Sequence, residues 1–144
     1  MIKAEDLRIG DLVRVNCDCE FPKETVCTVS EIRETKAFKG IMDIASLISV
    51  NGNGTNPSGV WCSDIEGIPL TPEILERNGF EMREDTVVYA KNRLALKPLD
   101  DEKGYQVGLG SLRLFYVKVS VIKYVHELQN ILYWIDGENA NLTI

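Results

Sequence analysis

With 144 residues, 44% of them hydrophobic and 26% charged, the chain is long enough to bury a core of its own without metal or disulfide staples, and its composition excludes a disordered or fibrous class. Its formal net charge of −6 excludes broad electrostatic attraction to nucleic acid or to anionic lipid, since the long-range field repels both. The start has no apolar run of the signal-peptide kind and no window approaches bilayer length, so a cytoplasmic location without membrane is the expectation.

The first element in chain order is an alternating strand after a Gly10-Asp11 turn, Leu12 and Arg14 pointing opposite to Val13 and Val15. A polar stretch from Asn16 to Lys23 then reads as a long hairpin loop, and the β-branched run from Thr25 to Ile32 as its second strand. Residues 41–50 form a third apolar run. The Gly- and Asn-rich segment 51–59 is expected to be a loop or hairpin tip before a short strand at Val60 to Cys62. This opening resembles small SH3-like barrels.

The piece from Ile68 to Phe80 carries complete helix punctuation. Thr71 caps, Pro72 suits the first helical position, Glu73 complements the dipole, and Gly79 stops the helix, with Ile74, Leu75 and Phe80 on the core side. Strands are predicted at Thr86 to Ala90, Arg93 to Lys97, Tyr105 to Leu109 and Leu112 to Val119, most simply connected as an antiparallel meander. Ser120 is the expected cap of a long helix from Tyr124 to Ile135 that ends at Asp136-Gly137. Leu142 and Ile144 then read as a short terminal strand.

On that helix Tyr124, Val125, Leu128, Ile131, Leu132 and Ile135 fall within an arc of about 120°, the width of a core-facing stripe. The other side is less polar than a solvated face: His126, Gln129, Asn130, Tyr133 and Trp134 form a ridge of imidazole, amides, phenol and indole able to bind a peptide, a base or a polar small molecule. The competing explanation is that this face is buried between two modules with its polar atoms satisfied by backbone. His126 has neither an orienting carboxylate nor a nucleophile at readable spacing, so an enzyme built on it is the third choice.

Two further signals are weighed. Cys17, Cys19, Cys27 and Cys62 lack paired knuckle spacing and a nearby histidine, and read as small apolar residues in preference to zinc ligands. Residues 86–123 hold seven Lys/Arg against three Asp/Glu, so Lys91, Arg93, Lys97, Arg113, Lys118 and Lys123 could make one sheet face locally basic, an alternative nucleic-acid surface opposed by the overall charge. Solvent-side residues of alternating strands are the simpler reading. No dinucleotide loop, Walker loop, EF-hand or zinc-protease motif occurs, and no cofactor is expected.

Three places carry a family resemblance: Leu7-Arg8-Ile9-Gly10-Asp11-Leu12-Val13; Ile68-Pro69-Leu70-Thr71-Pro72-Glu73-Ile74-Leu75 with Asn78-Gly79-Phe80; and Tyr124-Val125-His126-Glu127-Leu128-Gln129-Asn130 with Gly137-Glu138 and Leu142-Thr143-Ile144. In their order and spacing the chain resembles a family of small, mostly uncharacterised proteins of Bacteroidetes genomes, their phages and mobile elements. It differs in having Glu127 where a glutamine is expected. The resemblance implies no particular activity and points to a phage or mobile-element accessory role.

The expected architecture is therefore α+β and mainly β: an SH3-like barrel over residues 1–66, then residues 67–144 forming a short helix, an antiparallel sheet and a covering C-terminal helix that share a core with the first module. The expected function is a non-enzymatic interaction module whose partner is another protein, bound by the helix ridge together with the 51–59 loop.

Overall fold

The computed structural model describes residues 2–16, 22, 24–35, 45–51, 58–83, 87–100, 104–109, 117–137 and 140–144. Two five-stranded antiparallel sheets account for the strands among them. The first contains β1 (Leu12–Val15), β2 (Thr25–Thr35), β3 (Ala45–Asn51), β4 (Ser58–Trp61) and β5 (Ile65–Gly67), in the spatial order β4-β3-β2-β1-β5. Short helix α1 (Pro72–Arg77) follows. The second sheet is a meander of β6 (Glu81–Arg83), β7 (Val88–Lys91), β8 (Leu94–Pro98), β9 (Tyr105–Leu109) and β10 (Val117–Ile122), after which the chain enters α2 (Val125–Asp136).

In the first sheet β1 pairs with β2 on one side and with the edge strand β5 on the other. No ladder joins β4 to β5 among the described residues, so the sheet is open there, not a closed barrel. Both edges are short, four and three residues, and the 3₁₀ turn Cys62–Asp64 separates them. The sequence expectation also misplaced some boundaries. β2 runs on to Thr35 through an irregularity between Val29 and Glu31, Cys62 lies in the 3₁₀ turn, and β6 is a strand that was not foreseen.

α1 follows its punctuation. Thr71 Oγ1 accepts from the Ile74 N–H at 3.4 Å, Pro72 takes the first position, and Gly79 stands at φ +78°. The Phe80 N–H then donates to the Leu75 carbonyl at 3.0 Å, bringing the ring over Ile74 and Leu75 in one buried cluster. Ser120 is not the cap of α2, because it lies within β10. Instead Glu127 reaches back one turn, its Oε2 accepting from the N–H groups of Lys123 (2.6 Å) and Tyr124 (2.9 Å), a reciprocal contact that satisfies donors the helix start leaves open.

Alternation along β1 divides the molecule into two cores. Val13 and Val15 are buried with Ile2, Leu7, Cys27, Val29, Val50, Val60 and Ile65, whereas Leu12, and Val26 across the ladder, pack against the second core of Leu75, Phe80, Leu96, Val107, Ile122, Val125, Leu128 and Leu132. A two-sided strand of this kind joins the modules through packing as well as through the linker. The linker is itself paired: Pro69 bridges Tyr124, the Leu70 N–H donates to Lys123 O at 2.8 Å, and the Val125 N–H donates to Ile68 O at 2.9 Å. At Gly67 the chain passes so close to Tyr124 that a Cβ would stand 2.5 Å from its ring, which only glycine permits.

The tail does not form the expected strand. Asn78 holds it in coil: its side chain accepts from Thr143 N–H (2.8 Å) and donates to Thr143 O and to Ile74 O (2.7 Å each). Leu142 and Ile144 pack on the second core as a result.

Candidate functional site

The polar face of α2 is divided by the first module. Gly10 and Leu12 lie on the turn into β1, and that turn docks on the helix at Gln129, whose Oε1 accepts from Leu12 N–H at 2.8 Å while Nε2 donates to Gly10 O (3.2 Å) and Ala140 O (3.1 Å). A buried carboxamide thus bonds three backbone groups from two parts of the chain, the turn into β1 and the tail. The turn is of the type that needs a positive φ at its third residue. The Asp11 N–H donates to Arg8 O, Gly10 has φ +98°, and Asp11 Oδ2 accepts from Arg8 N–H at 2.8 Å. Asp11 is buried, and that burial pushes its carboxyl up to about 6 against the opposing help of the Arg8 N–H, the Arg8 charge and the Asn130 amide.

His126 is only 2% exposed. Its ring stacks on Tyr124 with centroids 5.7 Å apart and 12° between planes, and its buried Nδ1 has no hydrogen-bond partner. Burial lowers its pKa, with the charges of Glu127 and Asp6 acting the other way, so the imidazole is neutral at pH 7. Asn130 is half-buried and donates to Asp6 O at 3.1 Å. Tyr133 lies beneath the Arg8 guanidinium, 3.2 Å from the ring centroid. Four of the five ridge residues are therefore engaged within the chain, and His126 and Gln129 cannot touch a partner without a rearrangement. Trp134 is different: it is 82% exposed, among the described residues the most exposed of the large hydrophobics.

The last turns of α2 border a cleft of about 240 Å³ through Leu132, Ile135 and Asp136, on the side of the helix away from Trp134. Its lining combines the aliphatic side chains of Leu94, Leu132, Ile135 and Leu142 with the polar ones of Lys91, Arg93, Asp136, Asn78, Asn92 and Asn141. Three elements converge to make it. The turn between β7 and β8 is two residues long, with Lys91 paired to Leu94 and Asn92 in the left-handed region at φ +54°, a conformation that asparagine tolerates. This presents Arg93 exposed at the cleft, while Lys91 Nζ is fixed by donating to Asn78 O at 2.7 Å. The last turn of α2 supplies the second wall. The tail that Asn78 pins supplies the third.

Sequence reasoning foresaw Lys91 and Arg93 only as basic residues and did not bring them to α2. Asn78, Asn92, Asn141 and Asp136 were missed as site residues. The one available signal was the polar Lys91-Asn92-Arg93 hairpin tip, and nothing local says that the helix end packs near it. The remaining basic candidates do not gather with these two. Lys97 and Lys123 are exposed towards the far end of β8 from Arg93, where Pro98 pairs with Tyr105 and Tyr105 with Ile122. Lys118 lies in β10, its side chain outside the described positions, and Arg113 is outside the described residues, as are Cys17, Cys19 and 52–57 of the proposed loop. Cys27 is buried in the first core, and Cys62 Sγ donates to Ile2 O at 3.2 Å. Among the described residues no group of three or more His, Cys, Asp and Glu is placed to hold a metal ion, and no helix is long and apolar enough to cross a membrane. Comparison with protein-family models, with curated proteins and with solved structures gives no match.

Proposed function

We propose that the chain is a non-enzymatic interaction module that holds a partner protein at the C-terminal end of α2, using Trp134 and the cleft that the same helix end borders. The observation that carries this reading is the Trp134 side chain, 82% exposed at the C-terminal end of α2, the same helix end whose other side lines a cleft of aliphatic and polar side chains. An exposed indole is the usual material of an interface anchor. The buried polar groups of the same helix are explained by the fold; Trp134 is not. An accessory role in a phage or mobile element fits a small module of this kind. The connectivity of the first sheet supports an SH3-like reading of residues 1–66, since a meander whose first strand turns back to pair its last is one ladder short of closing.

The test is capture from extract of the encoding organism by the immobilised chain, beside Trp134→Ala. The expected result is a protein retained by the parent and lost by the variant, and which binds again when purified. Equal retention by both overturns the reading. Titration with DNA and RNA at low and high salt tests the alternative surface at Lys91, Arg93, Lys97, Arg113, Lys118 and Lys123: tight binding that collapses with salt would favour nucleic acid, because displacement of phosphate counterions makes such contacts strongly salt-dependent.

A further inference from the structure

The cleft at the C-terminal end of α2 places opposite kinds of chemistry within a space that one residue fills. Its volume of about 240 Å³ lies below that of pockets for drug-sized ligands, about 300–1,000 Å³. The four aliphatic side chains of its lining call for an apolar group, while the exposed guanidinium of Arg93 in the same lining calls for an anion. Among the described residues Arg93 has no hydrogen bond or ion pair of its own, whereas Lys91 is already tied to Asn78 O. In so small a space the apolar group and the anion must belong to the same ligand residue. An internal acidic residue offers the anion without the apolar group, and a phosphate or nucleotide offers excess negative charge beside Asp136 and leaves the aliphatic lining uncovered.

We propose that this cleft receives the C-terminal residue of a partner polypeptide, its apolar side chain between Leu94, Leu132, Ile135 and Leu142 and its α-carboxylate on Arg93. The proposal rests on the reading of the chain as an interaction module and names the feature that the module recognises. The carboxamides of Asn92 and Asn141 and the Asp136 carboxylate supply acceptors and donors for the last peptide groups of the ligand. The short β7–β8 turn presents Arg93 from a paired hairpin, so little ordering is needed on binding.

The experiment uses the full chain and fluorescein-labelled pentapeptides Gly-Ser-Gly-Ser-X, with X as Leu, Ile, Val, Phe or Met, each as free acid and as C-terminal amide, read by fluorescence anisotropy. At least one free acid is expected to bind saturably, and its amide about tenfold or more weaker, the size of effect expected from losing a charge-assisted contact. Arg93→Gln, folded by circular dichroism, is expected to reduce the free acid to the level of the amide, with Lys3→Gln as a charge-matched control that leaves binding unchanged. The proposal is overturned by amides that bind as well as acids, by Arg93→Gln binding like the parent, by free leucine competing at the same concentration as the peptide, or by a whole panel without saturable binding. Those outcomes leave the interaction-module reading intact wherever Trp134→Ala still releases the captured partner; retention of that partner by Trp134→Ala removes the wider reading instead.

Discussion

Gln129 shows how a side chain suited to recognition is used for folding. It closes contacts with Leu12 and Gly10 across sequence separations of 117 and 119 residues, and with Ala140 in the tail. Replacing it with alanine leaves two carbonyls and one N–H without this partner in a part-buried setting. A loss of about 3 kcal/mol is expected on the scale of unsatisfied buried groups; urea unfolding of Gln129→Ala checks it, and a loss below about 1 kcal/mol would mean that water replaces the amide. Asp11 and His126 make opposite contributions to pH dependence. The Asp11 carboxyl is raised from 3.8 to about 6, so the folded state binds its proton more tightly than the unfolded one, and stability from this group rises as pH falls from about 7 through 6 towards 4. His126, lowered from 6.5, does the reverse: the unfolded state gains the proton first, so its effect is destabilising as pH falls below 6.5. Asp11→Asn removes only the first effect. The stability difference between parent and Asp11→Asn should therefore shift in favour of the parent by up to about 3 kcal/mol between pH 7 and pH 4, from a displacement of about two pKa units. A difference that is constant with pH in urea titrations would show that Asp11 is not titrating in this range.

Among the elements, those whose signals are local were legible and those decided by docking were not. α1 could be read completely because Thr71, Pro72, Gly79 and Phe80 act within a few residues of one another. The apolar stripe of α2 and the four longer strands of the second sheet followed from periodicity, although β10 runs on to Ile122 and residues 112–116 of its expected run lie outside the described residues. β6, three residues long, is too short for a period to register. Burial of His126 and Gln129 could not be read, since it depends on where a turn more than a hundred residues away comes to rest. The cleft was invisible for the same reason: Arg93, Asp136 and Asn141 meet only in the folded chain. The start of α2 was misjudged because a serine is the commoner signal, while here Glu127 receives both N–H groups. Glu127→Ala should cost about 1 kcal/mol, within the range of lost helix caps, and Glu127→Gln less, since its amide oxygen still accepts. Thermal unfolding of the two variants orders them; equal melting temperatures for Glu127→Ala and the parent would leave the contact without energetic weight.

At the scale of the molecule, the three stretches that carry the family resemblance prove to touch one another. The Arg8-to-Leu12 turn docks on Gln129 and Tyr133, Asn78 binds Thr143, and Ile68 to Leu70 pair with Lys123 to Val125. Residues of these stretches therefore form the seam between the modules, and Trp134 stands outside it. Two cores joined by such a seam unfold together if the seam is strong relative to either core, because neither sheet can leave without exposing Leu12, Val26 and the polar face of α2. This can be followed in a Trp134→Phe background, where Trp61 in β4 is left as the single tryptophan and reports on the first sheet while far-ultraviolet circular dichroism follows α2. The two urea midpoints should coincide. Introducing Gln129→Ala into the same background removes the three bonds at the centre of the seam and should move both midpoints down, separating them if Gln129 is the main coupling element. Separate midpoints before that substitution would show instead that residues 1–66 and 67–144 are thermodynamically independent, with the seam a contact of the folded state that neither module needs.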